Sequence, residues 1–329
     1  MKRILAVTLA LILFLSGCTG NSGTGSDGGN GGGETYKIGV ISPPVTQGWG
    51  SGVTYYAEKR CKELALGGDL EYPGRIEYRL FRCDSGEEVI SGVEQLRGWG
   101  VQAVVVYPQW EGIEDTLQDL IDDGIPVVSV DLDIDCKGIY RVTGDNEGMG
   151  RQSAQYIVQM IGRTGTVVLL NSPAAGAVST LRQKGFEEKL AEIAPDLTVY
   201  TYAVDFTRES GQALFADILS EQEHIDAVFS MDDETAIGVL NALKEKNRTD
   251  VQVVAGGGGC QEYLGLMMEE ENADLHIQTT LYSPIIARNA VDYALAILRG
   301  ERVKQTKSVS TTVVDKSNCE TYLDENSPY

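Results

Sequence analysis

Residues 125–135 read Ile-Pro-Val-Val-Ser-Val-Asp-Leu-Asp-Ile-Asp. The first six are too apolar to leave a wet face, so they predict a strand covered on both sides. The last five carry three carboxylates, Asp131, Asp133 and Asp135. In an open parallel sheet, ligands sit just beyond the carboxyl ends of the strands. This strand therefore delivers fixed acceptors to the place where a ligand would lie.

The same unit recurs on either side. Upstream, residues 36–42, 75–83 and 101–107 read as strands, and 49–66, 86–99 and 112–123 as helices, the last stopped by Gly124. A short connecting strand is expected over 139–143. Asp145 can then cap a helix over 148–161. Strands follow over 166–171, 197–203, 227–230, 251–255 and 275–280, alternating with helices over 178–194, 210–220, 234–246 and 261–270. A long amphipathic helix over 285–298 ends at Gly300, and 309–314 closes as one strand. Such alternation implies α/β architecture, with parallel sheets carrying helices on both faces. Two runs of it, meeting near residues 140–144, imply two doubly wound lobes. No exact internal repeat is visible.

The chain has 329 residues, 42% of them hydrophobic, enough for two packed domains. Its formal net charge of −21 would be repelled by a phosphate backbone, so nucleic acid is not an expected partner. Residues 1–17 read as an export signal. Lys2 and Arg3 open it, and the apolar run 4–15 is too short to span a bilayer. Leu15-Ser16-Gly17-Cys18 resembles the bacterial lipobox, whose cysteine is acylated. Residues 18–35, mostly Gly, Ser, Thr, Asn and Asp, would form a tether with a reach of about 20 Å. The expected location is the extracytoplasmic face of a cell membrane, held by lipid at Cys18.

Cys61, Cys83, Cys136, Cys260 and Cys319 remain, an odd number that cannot all pair within the chain. Cys61 and Cys83 are poorly placed for each other. A helix starting near Trp49 carries Cys61 about 18 Å along its axis. No two cysteines have metal-ligand spacing, and the only histidines are His224 and His276. Asp131, Asp133 and Asp135 imitate the start of a calcium loop, but Cys136 stands where glycine is needed and Val142 where glutamate is needed. The glycine run 256–259 lacks the spacing of a nucleotide turn and arises late in the chain. No metal, cofactor or catalytic set is expected, and the chain does not read as an enzyme.

Five stretches in order resemble the type I periplasmic solute-binding proteins, in the branch of ribose and galactose binders of ABC importers. They are residues 37–42 with the loop to Trp49; 125–131; Arg182-Gln-Lys-Gly-Phe186; Ala-Val-Phe-Ser-Met-Asp-Asp-Glu-Thr-Ala-Ile-Gly over 227–238; and 294–301, ending Leu-Arg-Gly-Glu. The resemblance covers about the whole mature chain. It implies two lobes joined by three crossovers and closing on a sugar-class small molecule. The first would span 36–143 with 281–311, and the second 144–280 with 312–329. It also implies a monomer that docks on an ABC permease or, in a second reading, presents its ligand to a membrane sensor kinase. The related repressors would need a helix-turn-helix where the lipobox stands.

The family's ligand residues fall on Gln47, Trp49, Asp131, Arg182 and Asp232. Aromatic rings pack on the C–H face of a sugar, while carboxylates and guanidinium groups bond hydroxyl pairs. Leu132 replaces an arginine of the ribose branch, Gly257 an aspartate, and Leu281 a glutamine. Asp133, Gln109 and Trp110 are the expected substitutes. Trp110 divides evenly between pocket wall and surface, and Asp133 between ligand contact and loop cap. Asp232 can be helix cap and ligand residue together.

Overall fold

Strands that are apolar on both faces need helices on both faces, and the chain supplies them in alternation. The computed structural model describes residues 35–44, 48–67 and 75–329. The expected signal, Cys18, almost all of the tether and Gln47 lie outside the described residues. The first sheet is built from β1 (Thr35–Ser42), β2 (Arg75–Arg82), β3 (Ala103–Val106), β4 (Val127–Val130) and β5 (Tyr140–Gly144), closed by β11 (Thr306–Val309). Its order is β11-β5-β4-β3-β1-β2, parallel throughout. Around it stand α1 (Gly48–Leu66), α2 (Gly86–Trp99), α3 (Glu114–Asp122) and α9 (Ile286–Leu298).

The second sheet repeats the plan. Its strands are β6 (Thr164–Asn171), β7 (Asp196–Ala203), β8 (Ala227–Phe229), β9 (Val253–Gly257), β10 (His276–Leu281) and β12 (Thr312–Asp315), in the order β12-β10-β9-β8-β6-β7. Its helices are α4 (Asn146–Ile161), α5 (Ala177–Ile193), α6 (Arg208–Glu221), α7 (Asp233–Lys246) and the short α8 (Gln261–Leu266). In each sheet the order reverses direction once, between β1 and β3 and between β6 and β8. The loops leaving these strands diverge there and open a crevice.

The chain passes between lobes three times: from β5 into α4, from β10 into α9, and from β11 into β12. The last crossing corrects the expectation of a single strand over 309–314. Two residues separate β11 from β12, and across them the chain runs on from the first sheet into the second. A strand leaving one sheet at its carboxyl edge enters the facing sheet by that sheet's carboxyl edge, so β12 runs antiparallel to β10. Among the other boundaries that moved, two have a plain cause. Pro126 has no N–H to donate, and β4 begins after it. The helix expected over 261–270 stops at Leu266, because Glu269, Glu270 and Glu271 would place three charges against the negative end of its dipole.

Four apolar clusters fill the faces of the two sheets. Cys61 lies in the cluster under α1 and α9, and Cys83 and Cys136 lie in the one under α2 and α3. All five cysteines from Cys61 to Cys319 are buried and free. No helix among the described residues is long and apolar enough to cross a membrane.

Helix pairs in the second lobe meet backbone to backbone. A Cβ at Gly185 would lie 2.1 Å from Glu147 O, and one at Gly150 would lie 2.0 Å from Arg182 O. The pair α6 and α7 repeats the device, with Gly211 against Thr235 O and Gly238 against Arg208 O. The first crossing sets the position of Arg182 against the start of α4.

Candidate functional site

A cavity of about 490 Å3 lies between the lobes, a size suited to a small ligand. Its first-lobe wall is formed where β1, β3 and β4 end. Asp131 follows β4 directly, is buried, and has φ 63°. Aspartate is one of the few residues that accept this left-handed conformation at small cost. The backbone is pinned on both sides: Asp131 N donates to Val142 O (2.8 Å), and Arg141 Nε donates to Asp131 O (2.6 Å).

The side chain of Asp131 is tied into the hinge. Its Oδ1 accepts from Thr143 Oγ1 (3.0 Å) and from the Tyr282 hydroxyl. That hydroxyl in turn accepts from Gly144 N (3.0 Å) and Asn146 Nδ2 (3.2 Å). Burial, and then the neighbouring Asp131 charge, hold the phenol well above its ordinary range, so it stays a neutral donor. Gly144 is required here, because a Cβ would fall 2.2 Å from the Tyr282 ring.

Arg182 approaches from the second lobe. Its Nε donates to Asn146 Oδ1 (2.9 Å), its Nη1 donates to Met231 O (2.7 Å), and its guanidinium lies 4.7 Å over the Tyr282 ring. Asp131 and Arg182 are thus joined through Tyr282 and Asn146, across both lobes. The positive φ of Met231, 62°, turns the carbonyl-bearing segment after β8, and this residue has no glycine-like freedom.

Asp232 caps α7, with Oδ1 accepting from Thr235 N (2.9 Å) and Thr235 Oγ1 (3.2 Å). Burial pushes its carboxyl up to about 7, with the adjacent Asp233 adding to the shift. Asp233 is fully buried behind it. Its Oδ2 accepts from Gly259 N (2.6 Å), Cys260 N (2.9 Å) and Thr279 Oγ1 (3.0 Å). The glycine run 256–259 is therefore the partner of a carboxylate inside the fold. At Gly256 a Cβ would stand 2.2 Å from Asp233 Oδ1, which leaves room for glycine alone.

The remaining wall is largely apolar. Trp49 donates its Nε1–H to Tyr282 O (2.7 Å), and its ring lies 5.8 Å from that of Tyr107. With its polar atom engaged, the indole serves the cavity as a surface. Tyr107, Pro108, Leu132, Val178 and Phe206 extend that surface. Gln109 and Asp133 sit at the exposed lip, Asp133 at 3.7 Å from Arg141 Nη1.

The structure brings Trp49, Gln109, Asp131, Asp133, Arg182 and Asp232 to one cavity. It takes Trp110 elsewhere. This side chain turns away and packs on the apolar cluster under α2 and α3. The physical reason is area: a half-buried indole gains more against that core than at a wet lip. Gly257 lines the cavity as expected, but Leu281 packs toward Gly259 instead. Sequence reasoning missed Tyr282, Tyr107, Arg141, Asn146 and Phe206. Tyr107 stood at the end of an expected strand and Tyr282 one residue past Leu281, so strand-end position was a usable signal for both.

Over 316 residues the chain is 24% identical to the ribose import binding protein of Bacillus subtilis (strain 168), covering 94% of this chain and 97% of that one. A galactofuranose binding protein of known structure superposes with a TM-score of 0.72 at 21% identity, over 89% of this chain and 100% of that one. The fructose binding periplasmic domain of a hybrid two component system gives 0.68 at 21% identity, over 87% and 92%. At such identities these structures speak to the fold alone, and all three proteins are named for binding rather than catalysis. A family model described as a periplasmic binding protein domain matches residues 38–302, most of the chain, and its fold of two parallel-sheet lobes with a cleft between them is the one found here: the chain belongs to the periplasmic binding protein domain family.

Proposed function

We propose that this chain is an extracytoplasmic solute-binding protein, lipid-anchored at Cys18, that captures a sugar or sugar-like ligand between its lobes and delivers it to an ABC importer. The lobes we assign are residues 36–143 with 281–311, and 144–280 with 312–329, acting as a monomer. The observation that carries the reading is the chain Asp131–Tyr282–Asn146–Arg182, of which Asp131, Tyr282 and Arg182 line one small cavity from both lobes. A polyhydroxylated ring suits it. Carboxylates of Asp131 and Asp232 accept from hydroxyls, the guanidinium of Arg182 donates to a ring or hydroxyl oxygen, and Trp49 covers the C–H face. The relative named for ribose import supports this ligand class.

The test is a thermal-shift screen over pentoses, hexoses, furanosides and polyols, followed by calorimetry of the best ligand. Asp131→Ala and Arg182→Ala should each weaken binding roughly thirtyfold or more, the loss expected when one member of a buried charged set is truncated. Wild-type affinity in both variants would place the ligand elsewhere. A second reading, a sensory subunit for a membrane kinase, draws support from the likeness to the binding domain of a two component system. The ligand-loaded protein should stimulate ATP hydrolysis by a permease in the first reading and alter kinase autophosphorylation in the second.

A further inference from the structure

Residues 324–329 touch both lobes at a place that is none of the three crossovers. On the first lobe, Asp324 Oδ2 lies 3.5 Å from Lys59 Nζ on α1, and Ser327 stands beside the Tyr56 hydroxyl one turn earlier. On the second, Asp324 N donates to Gln261 Oε1 (2.7 Å), and Gln261 Nε2 donates to Tyr322 O (3.3 Å), which fastens the segment to α8. Between these points Tyr329 is only 3% exposed. A Cβ built on Gly52 of α1 would lie 3.5 Å from Tyr329 Cβ, and one built on Gly258 would lie 2.2 Å from the Tyr329 hydroxyl. The ring is therefore wedged between a helix of one lobe and a loop of the other.

We propose that residues 324–329 form a clasp that holds the two lobes together without ligand, with Tyr329 as its wedge. The Lys59–Asp324 pair is exposed and weak by itself; with Tyr56 it keeps the segment seated on α1, and the ring packs between the lobes only while that seat holds. Among the described residues the buried Tyr329 hydroxyl has no hydrogen-bond partner, so the hold is assigned to the ring and not to its hydroxyl. Two glycines make the seat, since any side chain at Gly258 would displace the wedge. Gly258 also lines the ligand cavity, so the clasp backs the cavity wall and opening the cleft must release Tyr329 from one lobe.

The proposal goes beyond the sugar reading and is tested without any ligand, so each can fail alone. Small-angle scattering would be recorded on the ligand-free chain as wild type, Tyr329→Ala, Tyr329→Phe and the double variant Lys59→Met/Tyr56→Phe. A compact protein of this length has a radius of gyration of about 20 Å. The Ala variant and the double variant should each expand by about 1 Å through hinge opening, and the Phe variant should match wild type. The double variant alters only α1, so it reads the clasp even if Tyr329→Ala loosens the second lobe's core. A folded double variant with the wild-type radius overturns the proposal. So does a wild type already as expanded as the variants, and expansion in Tyr329→Phe overturns the role of the wedge.

Discussion

Asp233 is the most constrained carboxylate of the site, with three donors on one oxygen and, among the described residues, no partner for the other. Burial raises its carboxyl from an ordinary 3.8 to about 6, and Asp232 beside it moves the same way. A raised value means that the folded state binds the proton more tightly than the unfolded state does. The associated stability is then fully present below pH 4 and is lost as pH rises through 6, on the order of 2–3 kcal/mol. Asp250, held near 2 chiefly by Arg248, acts only below that window. Unfolding by urea across pH 4 to 7 should show wild-type stability falling, and Asp233→Asn should flatten the fall because the three donors keep an acceptor. An equally steep fall in the variant would remove Asp233 as its cause.

At the scale of elements, the crossing of α4 and α5 decides where Arg182 stands. Gly185 lies one turn after Arg182 and touches the backbone at Glu147, so a methyl group there must push the helices apart. Gly185→Ala should cost about 1–3 kcal/mol by overpacking. It should also weaken ligand binding, since Arg182 would lose Asn146. Gly98→Ala on α2 is the control, because nothing lies within 4 Å of its added carbon. There the substitution should be neutral or slightly stabilising, by the higher helix propensity of alanine. Urea midpoints together with ligand titration would separate the two effects, and unchanged binding by a destabilised Gly185→Ala would uncouple the crossing from the site.

For the whole molecule, each lobe has its own pair of apolar clusters, and the site draws on both. A ligand held by Asp131 on one side and Arg182 with Asp232 on the other binds only the assembled pair. At a hundred times its dissociation constant it should add about 2.7 kcal/mol to the whole unit. Scanning calorimetry should then show both lobes melting later and together. A ligand that delays the melting of one lobe only would sit on that lobe and not between the two.

Much of this was legible in the linear chain. The alternation of apolar runs with amphipathic ones located nearly all the strands and helices, because burial on one or both faces imposes a local period. The position of Asp131 at a strand end and of Asp232 before a helix followed from the same reading, since strand ends and caps are local. Tertiary structure alone decided the rest. The Tyr282 hydroxyl is bonded to partners 136 to 151 positions away, and no local period reports a contact of that kind. The fate of Trp110, the split of 309–314 into strands of two sheets, and the seat of Tyr329 between Gly52 and Gly258 likewise depend on how two separately built sheets face each other. That geometry is set by the three crossovers and by glycines whose missing side chains matter only once another part of the chain lies against them.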